Sequence, residues 1–258
     1  MKRNILNLGF GLLSVFLFFS CVDENDDIYV SYGVIRNVTS GNNYEILTDK
    51  GNTLAVTKSY TSQDIEDDKR VLVNYEILSD KDKSKKIYEV QVNGFYQLLS
   101  KPLVNESFIL QDEDARRDSI GNDPFIRINS RFGGDYLNID FELFHSQHVD
   151  KKHMINLIYD DTRASADTVY LTLRHNAYGE VIGKGGVYLY EAWGRCSFKI
   201  SDLLPEGVTS KPVKLTWTQY GHNYEAKEYS DSGVFKKNGN VGDDYVMKAM
   251  LNDFIEVK

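Results

Sequence analysis

From Val30 onward the sequence alternates apolar and polar residues with a period of two, in short runs broken by Gly, Asn and Asp. Successive side chains of a strand point to opposite faces, so this pattern commits the chain to half-buried strands and a sheet-based fold. The first group reads YGVIRNV, SGNN, YEILTD, KGN, TLAVTKS, with turns at Gly41–Asn43 and Gly51–Asn52 built from residues that tolerate positive φ. TSQDIEDD follows as a short polar helix or loop, with Thr61 or Ser62 as its cap. RVLVNYEIL and KIYEVQVNGFYQLL then return to period two across the charged turn SDKDKSK. Three short strands, a crossover and two longer strands over residues 31–100 predict a five-stranded barrel of the OB type. Alternation in VLVNYEI sets Val71, Val73, Tyr75 and Ile77 on one face and Leu72, Asn74 and Glu76 on the other.

A boundary falls near Lys101–Pro102. The stretch QDEDARRDSIGNDP, residues 111–124, is charged and shows no apolar period, which predicts a surface loop. FIRINSRF and YLNIDFELF flank Gly133–Gly134–Asp135 as a hairpin, with Phe125, Ile126 and Ile128 before the turn and Leu137, Ile139, Phe141 and Leu143 after it. MINLIYDD, DTVYLTLRHNAY, VYLYEAWGRCSFKI and VKLTWTQYGHNYEAKEY continue the pattern, so residues 101–258 predict a β-sandwich of roughly seven short strands. At the end, Met247–Phe254 fits helix or strand, because Val246, Met250 and Phe254 lie at helical spacing. The fold class is all-β, with a small OB-type barrel followed by a β-sandwich.

The N-terminus has a different character. Lys2 and Arg3 precede an uncharged run from Ile5 to Phe19, shorter than the roughly 20 residues a membrane-spanning helix needs. Basic start, short apolar run and small Ser20 read as a secretory signal over residues 1–20. Ser20–Cys21 makes it the bacterial lipoprotein kind, with Cys21 as the lipidated, palmitate-bearing N-terminus and the membrane contact made through that lipid. Phe18 stands three residues before the Cys, where the commonest lipobox has Leu. Asp23, Glu24, Asp26 and Asp27 make residues 21–30 an acidic, solvated tether. This run resembles the acidic export signal of Bacteroidetes lipoproteins, which implies an outer-membrane protein facing the cell exterior; the alternative is the periplasmic face. Net charge is −8, and −10 once Lys2 and Arg3 are lost, which argues against nucleic acid as a partner. With Cys21 consumed by lipid, Cys196 has no intrachain partner, so disulfides do not hold the fold.

Sites of chemistry are sparse, and no cofactor is expected. His145, His148 and His153 gather in HSQHVDKKH, but spacings of three and five match neither helical nor strand geometry for a metal, so a solvated loop is the expected reading. Asp112, Glu113, Asp114, Asp118 and Asp123 depart from a calcium loop at Arg116 and Arg117. IGKGG at 182–186 lacks phosphate-loop spacing and reads as a hairpin turn. Cys196 alternates with Phe198 and Ile200, which makes it a small buried hydrophobe rather than a nucleophile. Tyr188, Tyr190 and Trp193, with Trp217 and Tyr220, are the candidate ligand platform, although aromatics at alternate strand positions fill sheet cores more often.

The lipoprotein signal, the barrel with DDKRVLVNYEIL entering its fourth strand, and the sandwich carrying LRHNAYGE and GRCSFKISDLLPEG resemble the NigD-like lipoproteins over nearly the whole mature chain. The turn before RVLVNY reads Asp68–Lys69 where that pattern has Gly-Asp. The resemblance implies an N-terminal OB domain, a C-terminal β-sandwich, no catalytic residues, and self-immunity against a bacteriocin. The expected function is a non-catalytic binding module for a protein, peptide or glycan. The alternative is a structural or assembly component of a cell-envelope or fimbrial complex. A hydrolase would need convergent carboxylates or a metal, which the sequence does not display.

Overall fold

The computed structural model describes residues 28–39, 43–61, 64–146, 152–163, 167–183 and 188–237. Cys21, the carboxylates Asp23, Glu24, Asp26 and Asp27, His148 and the Met247–Phe254 segment lie outside them.

The first half is a closed barrel. Strands β1 (Ile28–Arg36), β2 (Tyr44–Thr48), β3 (Thr53–Ser59), β4 (Arg70–Asp82) and β5 (Ile87–Gln97) are hydrogen-bonded in the order β1-β2-β3-β5-β4, with β4 closing back on β1. All pairs are antiparallel except β3–β5, which requires the crossover after Ser59. Residues 64–69 make that crossover as a loop without a helix. Its final turn puts Asp68 at φ 64°, the left-handed region where Gly is the default and Asp is among the few residues tolerated. The departure from Gly-Asp is therefore met by an Asp in a glycine conformation.

Val71, Val73 and Tyr75 fill the barrel with Ile35, Ile46, Leu54, Val90 and Val92, as their alternation predicts. Ile77 departs from the pattern and is exposed, because the β4–β5 register slips between Ile77 and Ser79 and again between Asp80 and Asp82. The SDKDKSK turn is also tighter than expected. β4 continues to Asp82, whose carboxylate accepts from the Ser84 and Lys85 N–H groups, and Lys86 turns the chain at φ 55°.

Residues 111–124 correct the loop expectation. Helix α1 (Glu106–Ile109) precedes the segment, and a 3₁₀ turn (Leu110–Asp112) and helix α2 (Glu113–Ile120) occupy most of it. Ile109 and Ile120 pin these helices to Ile158 in a small separate core. One buried residue at each end is too little apolar repetition to read as a period. Glu113 and Asp114 in the first turn of α2 and Arg117 in its last favour the helix dipole, and Arg117 bonds Glu113 and Glu106 at 2.7 Å each.

The sandwich pairs a five-stranded sheet with a three-stranded one. The first runs β13 (Ala226–Lys236), β12 (Ser210–Tyr220), β10 (Val169–Asn176), β9 (Met154–Tyr159), β6 (Val104–Asn105). The second runs β11 (Leu189–Lys199), β8 (Tyr136–Ser146), β7 (Arg127–Gly133). Leu137, Ile139, Leu157, Leu171, Leu173, Cys196, Phe198 and Leu215 meet between them. Cys196, Phe198 and Ile200 are all buried, and burial pushes the Cys196 thiol far up, as a small hydrophobe requires. The Gly133–Gly134–Asp135 hairpin forms as expected, with Gly134 at φ 54°. Lys184, Gly185 and Gly186 of the 182–186 run lie outside the described residues, and β10 and β11, on either side of it, belong to different sheets.

Barrel and sandwich are joined by a buried polar cluster. Arg70, 2% exposed at the start of β4, donates from Nη1 to Asp49 Oδ1 at 2.6 Å and from Nη2 to Asp49 Oδ2 at 2.5 Å. Its Nε reaches Ser197 Oγ and its Nη2 also reaches Asn138 Oδ1, both at 2.9 Å, and its guanidinium lies 4.1 Å from the Tyr136 ring centroid. Asn138 Nδ2 returns to Asp49 Oδ2 at 2.9 Å, so every partner is itself held. Gly133 permits this approach, because a Cβ there would lie 2.2 Å from Asp49 Oδ2. Alongside, Tyr32 of β1 donates to Asp140 at 3.1 Å, which also pairs with Arg131 and Arg195. Burial and then the Asp140 charge push the Tyr32 phenol up to about 12, so it remains a donor.

Candidate functional site

Two groups of side chains meet at one end of the sandwich. The first is a hydrogen-bonded file through Ser146, Glu180, His153 and His175. Ser146, closing β8, donates from its N–H to Glu180 Oε2 at 2.6 Å and from its hydroxyl to Oε1 at 2.9 Å. His153 Nε2 lies 3.1 Å from Glu180 Oε2, and its Nδ1 lies 3.0 Å from His175 Nε2. His175 occupies the inward register of β10 after Val169, Leu171 and Leu173, with its ring 5.0 Å from that of Phe125. Burial opposes charge on Glu180, yet the bonds from Ser146 and His153 outweigh it and hold the carboxyl below its usual range. Glu180 is therefore an acceptor, which makes His153 Nε2 the donor to it and sets His153 Nδ1 against Nε2 of His175. Ser146 donates to a carboxylate rather than to an imidazole, so this file does not activate its oxygen for attack.

His175 makes acid stability measurable. Burial and then the neighbouring His153 push it from 6.5 to about 3. The unfolded chain takes up that proton near 6.5, so below 6.5 the unfolded state binds more protons than the folded one. The His175 contribution is complete above 6.5 and is lost progressively as pH falls toward about 3. Denaturant midpoints should accordingly decline between pH 6.5 and 4.5, above the range where Glu180 adds its own loss. His175→Gln, which cannot titrate but keeps an amide donor, should flatten that limb. An unchanged slope in the variant would refute the assignment.

The second group is aromatic. Tyr188 is 88% exposed, Tyr190 45% and Trp193 49%, so the core role expected of strand aromatics fails for these three and holds for buried Trp217. The tilted His145 and Tyr190 rings have centroids 6.3 Å apart, and the Arg195 guanidinium lies 5.2 Å from the Trp193 ring centroid. Phe144, Tyr220 and Tyr224 form a neighbouring cluster with centroids 5.6–6.4 Å apart. β11 is the rim of its sheet. Among the described residues its free side is met only by Leu99 at Cys196, which leaves the Leu189–Arg195 backbone edge open.

Of the three histidines at 145–153, His148 lies outside the described residues, and His145 and His153 have different partners. His145 turns to Tyr190 and the Ser146 carbonyl, whereas His153 joins His175 and Glu180, two residues that sequence proximity misses. The signal for His175 was present, as a polar residue at the inward position of an otherwise apolar face. No group of three or more His, Cys, Asp or Glu side chains arranged to hold a metal occurs among the described residues. Among them, too, no helix is long and apolar enough to cross a membrane.

The solved structures similar to this chain share its fold. A Parabacteroides distasonis protein provisionally described as toxin-related is 26% identical, with 80% of this chain and 93% of that one covered at a TM-score of 0.59. A NigD-like immunity protein from Bacteroides caccae is 21% identical over 78% and 90% of the two chains, at a TM-score of 0.57. A Bacteroides fragilis protein provisionally named a lipoprotein is 11% identical over 81% and 97%, at a TM-score of 0.53. No curated protein matches the chain. Residues 32–97 match the NigD-like N-terminal OB domain and residues 107–230 the NigD-like C-terminal β-sandwich domain, and the chain therefore belongs to the NigD-like family.

Proposed function

We propose that this chain is a lipoprotein anchored through Cys21 in the outer membrane, facing the cell exterior, and that it acts there as a non-catalytic binding module in self-immunity to a bacteriocin. The observation that carries the binding role is the open edge of β11 with Tyr190 and Trp193 exposed beside it. Tyr and Trp are the side chains that anchor protein interfaces, and an unpaired strand edge offers backbone groups to an extended peptide. The partner is a protein or peptide that adds to this edge and covers the two rings. The acidic run after Cys21 supports export, and the similarity to an immunity protein supports the protective role.

The test is a deletion strain challenged with the bacteriocin of its own kin. Sensitivity is expected on deletion, with rescue by the native chain but not by a Tyr190→Ala, Trp193→Ala double variant or by Cys21→Ser. Equal resistance of the deletion strain would overturn immunity. Protection of the native protein from protease added to intact cells would overturn the outward orientation and favour an assembly role within the envelope.

A further inference from the structure

A separate cleft of about 430 Å³ opens on the outer face of the five-stranded sheet, between α2 and strands β9 and β10. That size lies within the range of roughly 300–1,000 Å³ typical of small-molecule sites. Ile109, Ile120 and Ile158 give it a branched apolar lining. Arg174 of β10 stands in its wall, half-buried, and among the described residues its guanidinium forms no hydrogen bond or ion pair. Directly opposite on β9 is Asn156, 6% exposed, whose buried Nδ2 also has no partner. Asn156 lies behind the lining of the cleft, so the donor that the cleft presents is the Arg174 guanidinium, a half-buried cation without a partner among the described residues.

The remaining charges narrow what would satisfy it. Arg117 also lines the cleft but is already engaged by Glu106 and Glu113. Burial and then Arg117 push Arg174 below its usual range, and Glu106 and Glu228 do not make up the difference. The attraction of an incoming anion would offset both effects. Asp118 of α2 and Asp123 of the following loop line the same cleft, and among the described residues only Oδ2 of Asp123 is used, by the Ala177 N–H at 2.7 Å. A simple anion would meet these carboxylates, whereas a ligand that also carries a cation would satisfy them.

We propose that this cleft binds a small zwitterion with a branched apolar side chain, an α-amino acid or a short peptide of such residues. Its carboxylate lies on Arg174, its ammonium faces Asp118 and Asp123, and its side chain lies against the isoleucines. The cleft belongs to the opposite sheet from β11, so it is independent of the edge proposed above.

The experiment is calorimetric titration of the full chain in detergent with L-leucine, leucyl-leucine, isovalerate and isopentylamine. Saturable binding is expected for leucine or leucyl-leucine, and which of the two binds tells a free amino acid from a peptide. Isovalerate and isopentylamine, each lacking one charge, should bind at least about tenfold more weakly. Arg174→Met should lose roughly tenfold to hundredfold in affinity with an unchanged melting temperature. Absence of saturation with both zwitterions, or equal affinity of Arg174→Met and native protein, would overturn the proposal. Isovalerate binding as tightly as leucine would overturn the role given to Asp118 and Asp123.

Discussion

Replacing Arg70 with methionine is expected to destabilise the protein by about 3–5 kcal/mol, because it strips a buried carboxylate of its counter-charge. The Arg70 and Asp49 side chains are only 1% and 9% exposed. Methionine keeps much of the aliphatic stem but none of the donors. Asp49 would then face the interior with the Asn138 amide as its remaining side-chain donor, and Ser197 Oγ and Asn138 Oδ1 would each lose a bond. The pair itself need not be strongly net stabilising, since removing both charges from water has its own cost. A double variant, Arg70→Met with Asp49→Leu, should accordingly recover a large part of the loss. Denaturant unfolding of the two single variants and the double closes the cycle. The location adds a second readout. The cluster joins residues of β4 and the β2–β3 turn to residues of β8 and β11, so Arg70→Met should also split one unfolding transition into separate barrel and sandwich steps. A loss under about 1 kcal/mol with a single transition would show that the cluster does not couple the two halves.

This cluster marks where the sequence stops being informative. Period-two alternation is a local property, and it suffices for strand identity, the OB strand set and the inward faces of Val71, Val73 and Phe198. Asp49 reads locally as a turn residue and Arg70 as the charged start of a strand. Their partnership with Ser197, 127 residues beyond Arg70, depends on the docking of two separately patterned halves. The same limit explains α1 and α2, whose attachment to β9 through Ile109 and Ile120 leaves no local period. It also explains Tyr190 and Trp193. Trp193 shares the outward face of β11 with Glu191 and Arg195, but Tyr190 has the inward parity of Cys196 and Phe198, and its exposure follows from β11 being the rim of a sheet of only three strands, a consequence of strand order. The His153–His175–Glu180 file needed the ends of β9 and β10 to be neighbours, which their antiparallel pairing supplies.

Phe125 extends the point and carries the second large effect. Its place before the hairpin suggested a strand residue of that sheet, yet it bridges to Gln219 of the other sheet, accepting from Tyr220 N–H at 2.8 Å and donating to the Thr218 carbonyl at 3.0 Å. Within the same few residues, Asp123 N–H bonds the His175 carbonyl and Ile126 N–H bonds the Glu142 carbonyl, both at 2.8 Å, so this segment stitches the two sheets together. The ring is fully buried, 5.0 Å from His175 and 5.9 Å from Phe141 between centroids. Phe125→Ala should cost about 3–5 kcal/mol, from lost transfer energy and from a cavity that the bonded backbone on either side cannot collapse to fill. Phe125→Leu, which keeps most of the volume, should cost much less. The alanine variant should also change His175. With its covering ring gone, the imidazole becomes better solvated and its pKa should climb from about 3 back toward 6.5, readable by NMR titration. Stability loss without movement of the His175 titration would mean that the barrier to its protonation comes from His153 and the sheet rather than from Phe125. Movement of both would tie the packing of the sandwich to the charge state of the histidine file at its end.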